Sequence, residues 1–127
     1  MAGNFAADET VASLEYAVAV LNTPLIMVLG HEACGAVDAA IKSVTEGASF
    51  PGHLPELMTA LTPAVTEARD MPGDLLVNAT RRNVIRNVEK LKTAGPILDS
   101  FVKDKKLRIV GGVYQLGSGK VDLIARD

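Results

Sequence analysis

Leu25-Ile-Met-Val-Leu-Gly-His31-Glu-Ala-Cys34-Gly35-Ala-Val-Asp-Ala-Ala-Ile41 is the stretch on which the reading of the chain turns. Five apolar residues, several β-branched and closed by Gly30, have the length and composition of a parallel strand apolar on both faces, expected over 25–29. From Cys34 to about Glu46 the sequence is rich in Ala and Val and stops at Gly47, which predicts a helix. A strand running into a helix is the opening of an α/β unit, and ligands in such folds collect at the carboxyl ends of strands. That is where His31 and Cys34 stand.

An imidazole and a thiol three positions apart are soft-to-borderline donors of the kind that hold Zn²⁺. The helix N-terminus beside Cys34 favours negative charge, and a thiol ligates metal as its anion. The same two residues also admit a plain alternative, since a cysteine is often only a small buried apolar group. His53, the other imidazole, sits in Gly47-Ala-Ser-Phe-Pro-Gly-His-Leu54, whose Gly and Pro content predicts an exposed loop rather than a ligand position. Gly35, directly after the thiol, leaves room for something to approach the backbone, a purpose that helix packing would serve equally well.

The rest of the chain supplies the frame. Residues 1–7 lack a period and read as a remnant or a docking arm. A helix capped by Asp8 or Thr10 follows, with Val11, Leu14, Ala17, Val18 and Leu21 on one stripe and Asn22-Thr-Pro24 as its end. Tyr16 lies off that stripe, as a half-buried tyrosine at a helix interface does. Further helices are expected from Pro55 to about Asp70, buried through Leu57, Leu61, Ala64, Val65 and Ala68, and from about Leu75 to Lys92, buried through Val77, Val84, Ile85, Val88 and Leu91. Arg81, Arg82 and Arg86 read as a solvated face. After Gly95-Pro96 comes a short helix from Ile97 to about Lys103. A strand over 107–114 follows, in which Gly111-Gly112 signals a bulge or a close backbone approach, and a turn at Leu116-Gly-Ser-Gly-Lys120 leads to an antiparallel edge strand at Val121–Ala125. The sum is one α/β domain over 1–127: a small, mostly parallel sheet with helices over its faces and a C-terminal antiparallel hairpin strand. Gly30 and Gly35 make neither a Gly-x-Gly-x-x-Gly fingerprint nor a P-loop.

Three stretches in order, Ser13-Leu-Glu-Tyr-Ala-Val18, Val28-Leu-Gly-His-Glu-Ala-Cys-Gly-Ala-Val37 and Gly112-Val-Tyr-Gln-Leu-Gly-Ser-Gly-Lys-Val121, resemble successive signatures of the beta-class carbonic anhydrases. The resemblance covers essentially the whole chain but not the whole family domain, so the fold it implies is an incomplete one. It implies a zinc enzyme for the reversible hydration of carbon dioxide to bicarbonate. His31 and Cys34 match the second and third of the family's Cys, His, Cys ligands. The first ligand and the catalytic Asp-Arg dyad belong to an upstream Cys-x-Asp-x-Arg segment with no counterpart here, so no catalytic residue is assigned. Met1-Ala-Gly-Asn4 is similar to the tail of the family's Arg-Asn-Ala-Gly-Asn stretch. By the same resemblance Gly35 and Tyr16 border the substrate cleft, Tyr16 from a neighbouring subunit, and the chain is a homo-oligomer. Two further parallel strands would precede residue 1, one of them beside strand 25–29, whose open edge would otherwise drive association. An oligomerising or binding module without catalysis is the alternative.

A net charge of −2 gives no electrostatic basis for a nucleic-acid or anionic-membrane partner. No apolar run approaches the ~20 residues that span a bilayer, and a single cysteine forms no intramolecular disulfide, in keeping with the cytoplasm.

Overall fold

The computed structural model describes residues 1–126; of the stretch 1–127 expected to form one domain, Asp127 lies outside the described residues. Five helices and three strands follow in the order α1 (Asp8–Ala19), β1 (Leu25–His31), α2 (Gly35–Glu46), α3 (Leu54–Ala68), α4 (Leu75–Lys92), α5 (Leu98–Lys103), β2 (Arg108–Tyr114) and β3 (Val121–Ala125). The sheet order is β1-β2-β3. β1 and β2 run parallel, with Leu25 opposite Arg108 and His31 opposite Tyr114, and β3 returns antiparallel. The expected irregularity falls between Gly111 and Gly112.

α4 explains both the sheet's packing and its glycines. On one face of the sheet Ile26, Val28 and Gly30 stand beside Ile109, Gly111 and Val113, and the larger of these join Val84, Val88 and Leu91 of α4 in one core. A Cβ at Gly30 would come within 2.7 Å of Val84 Cγ2, and one at Gly111 within 2.6 Å of Val84 Cγ1. Gly30 therefore does not end β1, as its position after the apolar run suggested. It lets helix and strand close together, and the strand continues to His31.

The other face is a second departure. β1 alternates between buried and exposed residues instead of being buried on both sides: Leu25, Met27 and Leu29 are 51%, 41% and 43% exposed. The open face is that of β1, since β2 is buried along both of its faces. β1 is also an edge strand, as expected, and a groove of about 300 Å³ lies along it, lined by Met27, Leu29, Thr10 and Leu14 together with residues of the N-terminal arm.

A second core joins α2, α3 and the start of α4 through Val37, Ala40, Met58, Leu61, Val65, Ala68 and Ala79. Met58 is buried there where periodicity favoured Leu57, which is only partly buried. Val77, expected on the apolar face of α4, is 54% exposed. In its place α4 buries Asn83 and Asn87, polar residues that a hydrophobic pattern cannot select. Their amides hold the N-terminal arm: Ala6 N donates to Asn87 Oδ1 at 2.8 Å, and Asn83 Nδ2 donates to Gly3 O at 2.6 Å. Asn87 Nδ2 in turn donates to Asn83 O and Oδ1. The reading of residues 1–7 as a docking arm thus has a structural basis.

Helix ends follow local chemistry. Asp74 caps α4, its carboxylate accepting from Val77 N at 2.9 Å, and Gly47 closes α2 in the left-handed region at φ 66°. α1 departs from expectation, since neither Asp8 nor Thr10 caps it. Asp8 lies inside its first turn with Glu9, where both carboxylates complement the helix dipole. Leu21, placed on the α1 stripe by its spacing, lies beyond the helix and is 62% exposed. Arg82 and Arg86 do not form a bare solvated face: both pair with Glu67 of α3 across the helix contact. The Arg82 hydrogen bond, reinforced by the Arg86 charge, holds the Glu67 carboxyl below its ordinary range.

Candidate metal centre at the β1–α2 junction

Three residues carry the chain from the end of β1 to the start of α2, and their backbone is tightly specified. Glu32 N donates to Tyr114 O at 2.9 Å, extending the sheet ladder by one bond. Ala33 then turns through the left-handed region at φ 52°, and Cys34 becomes the N-cap of α2 with its carbonyl accepting from Asp38 N at 3.0 Å. The Cys34 side chain makes no capping hydrogen bond.

His31 is exposed, on the open face of the sheet. Its Nδ1 lies 2.8 Å from Glu32 O. A carbonyl oxygen only accepts, so Nδ1 is the donor here, and in the neutral ring that leaves Nε2 with the lone pair, the form in which imidazole binds a metal. An open cavity of about 380 Å³ beside the ring is lined by Leu29, Gly30, His31, Tyr114 and Leu116.

Cys34 is placed differently. It is 2% exposed and packs with Val37, Ala40, Met58 and Leu61 in the helical core. It does not line the cavity beside His31. Among the described residues no group of three His, Cys, Asp or Glu side chains converges on a point that could hold a metal ion. The donors are right in kind for zinc, and they are one short of the three protein ligands that a catalytic zinc uses.

The remaining candidates are dispersed. A Cβ on Gly35 would meet nothing within 4 Å, so no element of this chain makes the close approach its position suggested. Tyr16 is 58% exposed on α1 and does not line the His31 cavity; it is more open than a half-buried interface residue. His53 is exposed at the start of α3, as its loop composition predicts. Sequence reasoning passed over two neighbours of His31. Tyr114 faces it across the β1–β2 ladder, a pairing that the register reveals and spacing does not. Glu32 accepts from Leu116 N through Oε2 at 3.1 Å.

Solved beta-carbonic anhydrases superpose on this α/β fold. A tetrameric beta-carbonic anhydrase of Sordaria macrospora matches with a TM-score of 0.82 at 21% identity, over 97% of this chain and 64% of that one. A Coccomyxa beta-carbonic anhydrase solved with acetazolamide matches with a TM-score of 0.80 at 24% identity, over 97% and 58%. These likenesses establish the fold.

The chain belongs to the carbonic anhydrase family, whose sequence model matches residues 1–121. Carbonic anhydrase 2 of Mycobacterium tuberculosis is 34% identical over 122 residues, which are 96% of this chain and 59% of that protein. The carbonic anhydrase of Pseudomonas aeruginosa is 35% identical over 119 residues, 89% and 52% of the two chains. The chain therefore spans between half and two thirds of the length of these relatives.

Proposed function

We propose that this polypeptide supplies part of a zinc site for the reversible hydration of carbon dioxide to bicarbonate, with His31 and Cys34 as two of the metal's ligands. The observation that carries the reading is the 2.8 Å contact between His31 Nδ1 and the Glu32 carbonyl, which in the neutral ring leaves the Nε2 lone pair for a metal at the carboxyl end of β1. Family membership supplies the chemistry. Zinc, when bound, acidifies water so that a nucleophile exists at neutral pH. The chain's own part is to orient His31, to deliver Cys34 at a helix N-terminus and to leave space around Gly35.

A third donor has to come from outside the described residues. In the family reading it comes from a Cys-x-Asp-x-Arg strand lying along β1, whose exposed apolar residues and open edge suit such a neighbour. Tyr16, exposed on α1, borders the cleft of a neighbouring subunit in the same reading, and the assembly is a homo-oligomer. A reducing compartment, the cytoplasm, suits the single free thiol. No helix of the described residues is long and apolar enough to cross a membrane.

The test is metal analysis beside a carbon dioxide hydration assay on the chain, alone and with a peptide carrying the Cys-x-Asp-x-Arg strand. Zinc and activity that rise with the peptide and vanish in Cys34→Ser support the reading; their absence in both conditions contradicts it. A second reading, an oligomerising or binding module without catalysis, is favoured by the burial of the Cys34 thiol in the helical core. It expects self-association with no zinc.

A further inference from the structure

Glu32 stands between the two proposed ligands and is held from a distant part of the chain. Its backbone N–H donates to Tyr114 O at 2.9 Å, and its carboxylate accepts from Leu116 N at 3.1 Å. Both partners belong to the end of β2 and the turn that follows, 84 residues away for the second bond. The residue is therefore gripped through main chain and side chain at once. Its remaining polar group, the carbonyl, is the acceptor for His31 Nδ1–H at 2.8 Å.

From this geometry we infer that Glu32 is a positioning residue: by anchoring its carboxylate to the Leu116 amide it fixes the direction of its own carbonyl, and that carbonyl selects the Nδ1–H tautomer of His31. A neutral imidazole exposed to water does not hold that tautomer without a partner, since either nitrogen can carry the proton and both compete for solvent. A carbonyl free to swing with an unanchored loop would hold the ring poorly. The turn supports the assignment, because Ala33 at φ 52° has no conformational slack in which to re-aim the residue 32 carbonyl. Outer partners of this kind set the tautomer and basicity of ligating histidines. The inference gives the proposed zinc ligand its preparation and rests on that reading for its purpose, but the tautomer exists without metal and is measured without it.

The experiment is ¹⁵N NMR of the imidazole nitrogens in the metal-free chain at about pH 8.5, above the ordinary imidazole range. Wild type is compared with Glu32→Gln, Glu32→Asp and Glu32→Ala. Glutamine keeps an acceptor oxygen at the same reach, so E32Q retains the wild-type ratio of Nδ1–H to Nε2–H. Aspartate is too short to reach the Leu116 amide. E32D and E32A are expected to lower the ratio about 3- to 10-fold, the range of one lost hydrogen bond, and to speed exchange of the Leu116 amide in parallel. His53, exposed on another loop, is the internal control and does not change. An unaltered His31 ratio in both E32D and E32A overturns the inference, and so does an E32Q ring that behaves like E32A. A separate zinc titration of the wild-type chain, alone and with the Cys-x-Asp-x-Arg peptide, distinguishes the two levels: failure to bind zinc in both conditions with the Glu32-dependent tautomer intact removes the metal reading and leaves this assignment standing.

Discussion

The two faces of the sheet are built on opposite plans. Toward α4, Gly30 and Gly111 give up their side chains so that Val84 can sit against the strands, and Ile26, Val28, Ile109 and Val113 fill the space around it. On the other face of β1, Leu25, Met27 and Leu29 stay about half exposed, the last two along a groove shared with α1, and the strand's outer edge is unpaired among the described residues. The first face is finished within this chain; the second has the composition of an interior and the exposure of a surface. His31 lies at the end of the second, and its incomplete surroundings are of a piece with that face.

The contrast breaks most severely where the finished face is crowded. Gly111→Ala pushes a methyl group to within 2.6 Å of Val84 Cγ1 and 3.0 Å of Val88 Cγ2, and is expected to cost about 1–3 kcal/mol, read as a lower denaturant midpoint at unchanged slope. Gly35→Ala is its control. It meets open space and is expected to leave stability within about 0.5 kcal/mol or to raise it slightly.

Asn87→Ala strands the Ala6 N–H beside α4. The expected cost is about 1–3 kcal/mol, the penalty of an unpaired buried donor. Proteolysis within residues 1–7 should accelerate with it, because the same asparagine positions Asn83 for its bond to Gly3 O.

On the open face the effect falls on association. Met27→Lys with Leu29→Lys is expected to change folding stability by no more than about 0.5 kcal/mol while lowering the self-associated fraction in sedimentation velocity. A wild-type chain already monomeric at high concentration would show that this face needs no cover.

The smallest effect concerns Glu67. Its carboxyl titrates below its ordinary value because Arg82 and Arg86 favour the charged form. A carboxyl depressed in the folded state adds stability above its unfolded pKa, about 4.5, and loses it as pH falls through the lower folded value. Glu67→Gln should therefore reduce stability near neutrality by less than about 1 kcal/mol, as for exposed ion pairs, and flatten the loss of stability in acid.

What could be read in advance follows from which physical signal each feature leaves in the sequence. Period and punctuation announced α4, where Asp74 and Lys92 bracket the helix, and the β2–β3 hairpin with its bulge at Gly111-Gly112. The family motifs drew attention to His31 and Cys34. Features that depend on what lies across a gap left no local trace. Gly30 reads locally as a strand end because its reason is Val84, 54 positions on. Asn83 and Asn87 interrupt an apolar pattern because their partners are the backbone of residues 3 and 6. Neither the burial of Cys34 in the helical core nor the link from Glu32 to Leu116 can be seen from spacing, since both depend on how Ala33 turns and where the hairpin returns.

The central claim, that His31 and Cys34 together form part of a zinc site, is tested most directly by titrating the metal-free chain with zinc beside His31→Ala and Cys34→Ser. Weak binding that both substitutions abolish, and that tightens when a strand bearing a third donor is added, is the expected result. Binding that survives either substitution, or none in wild type even with the added strand, would contradict it.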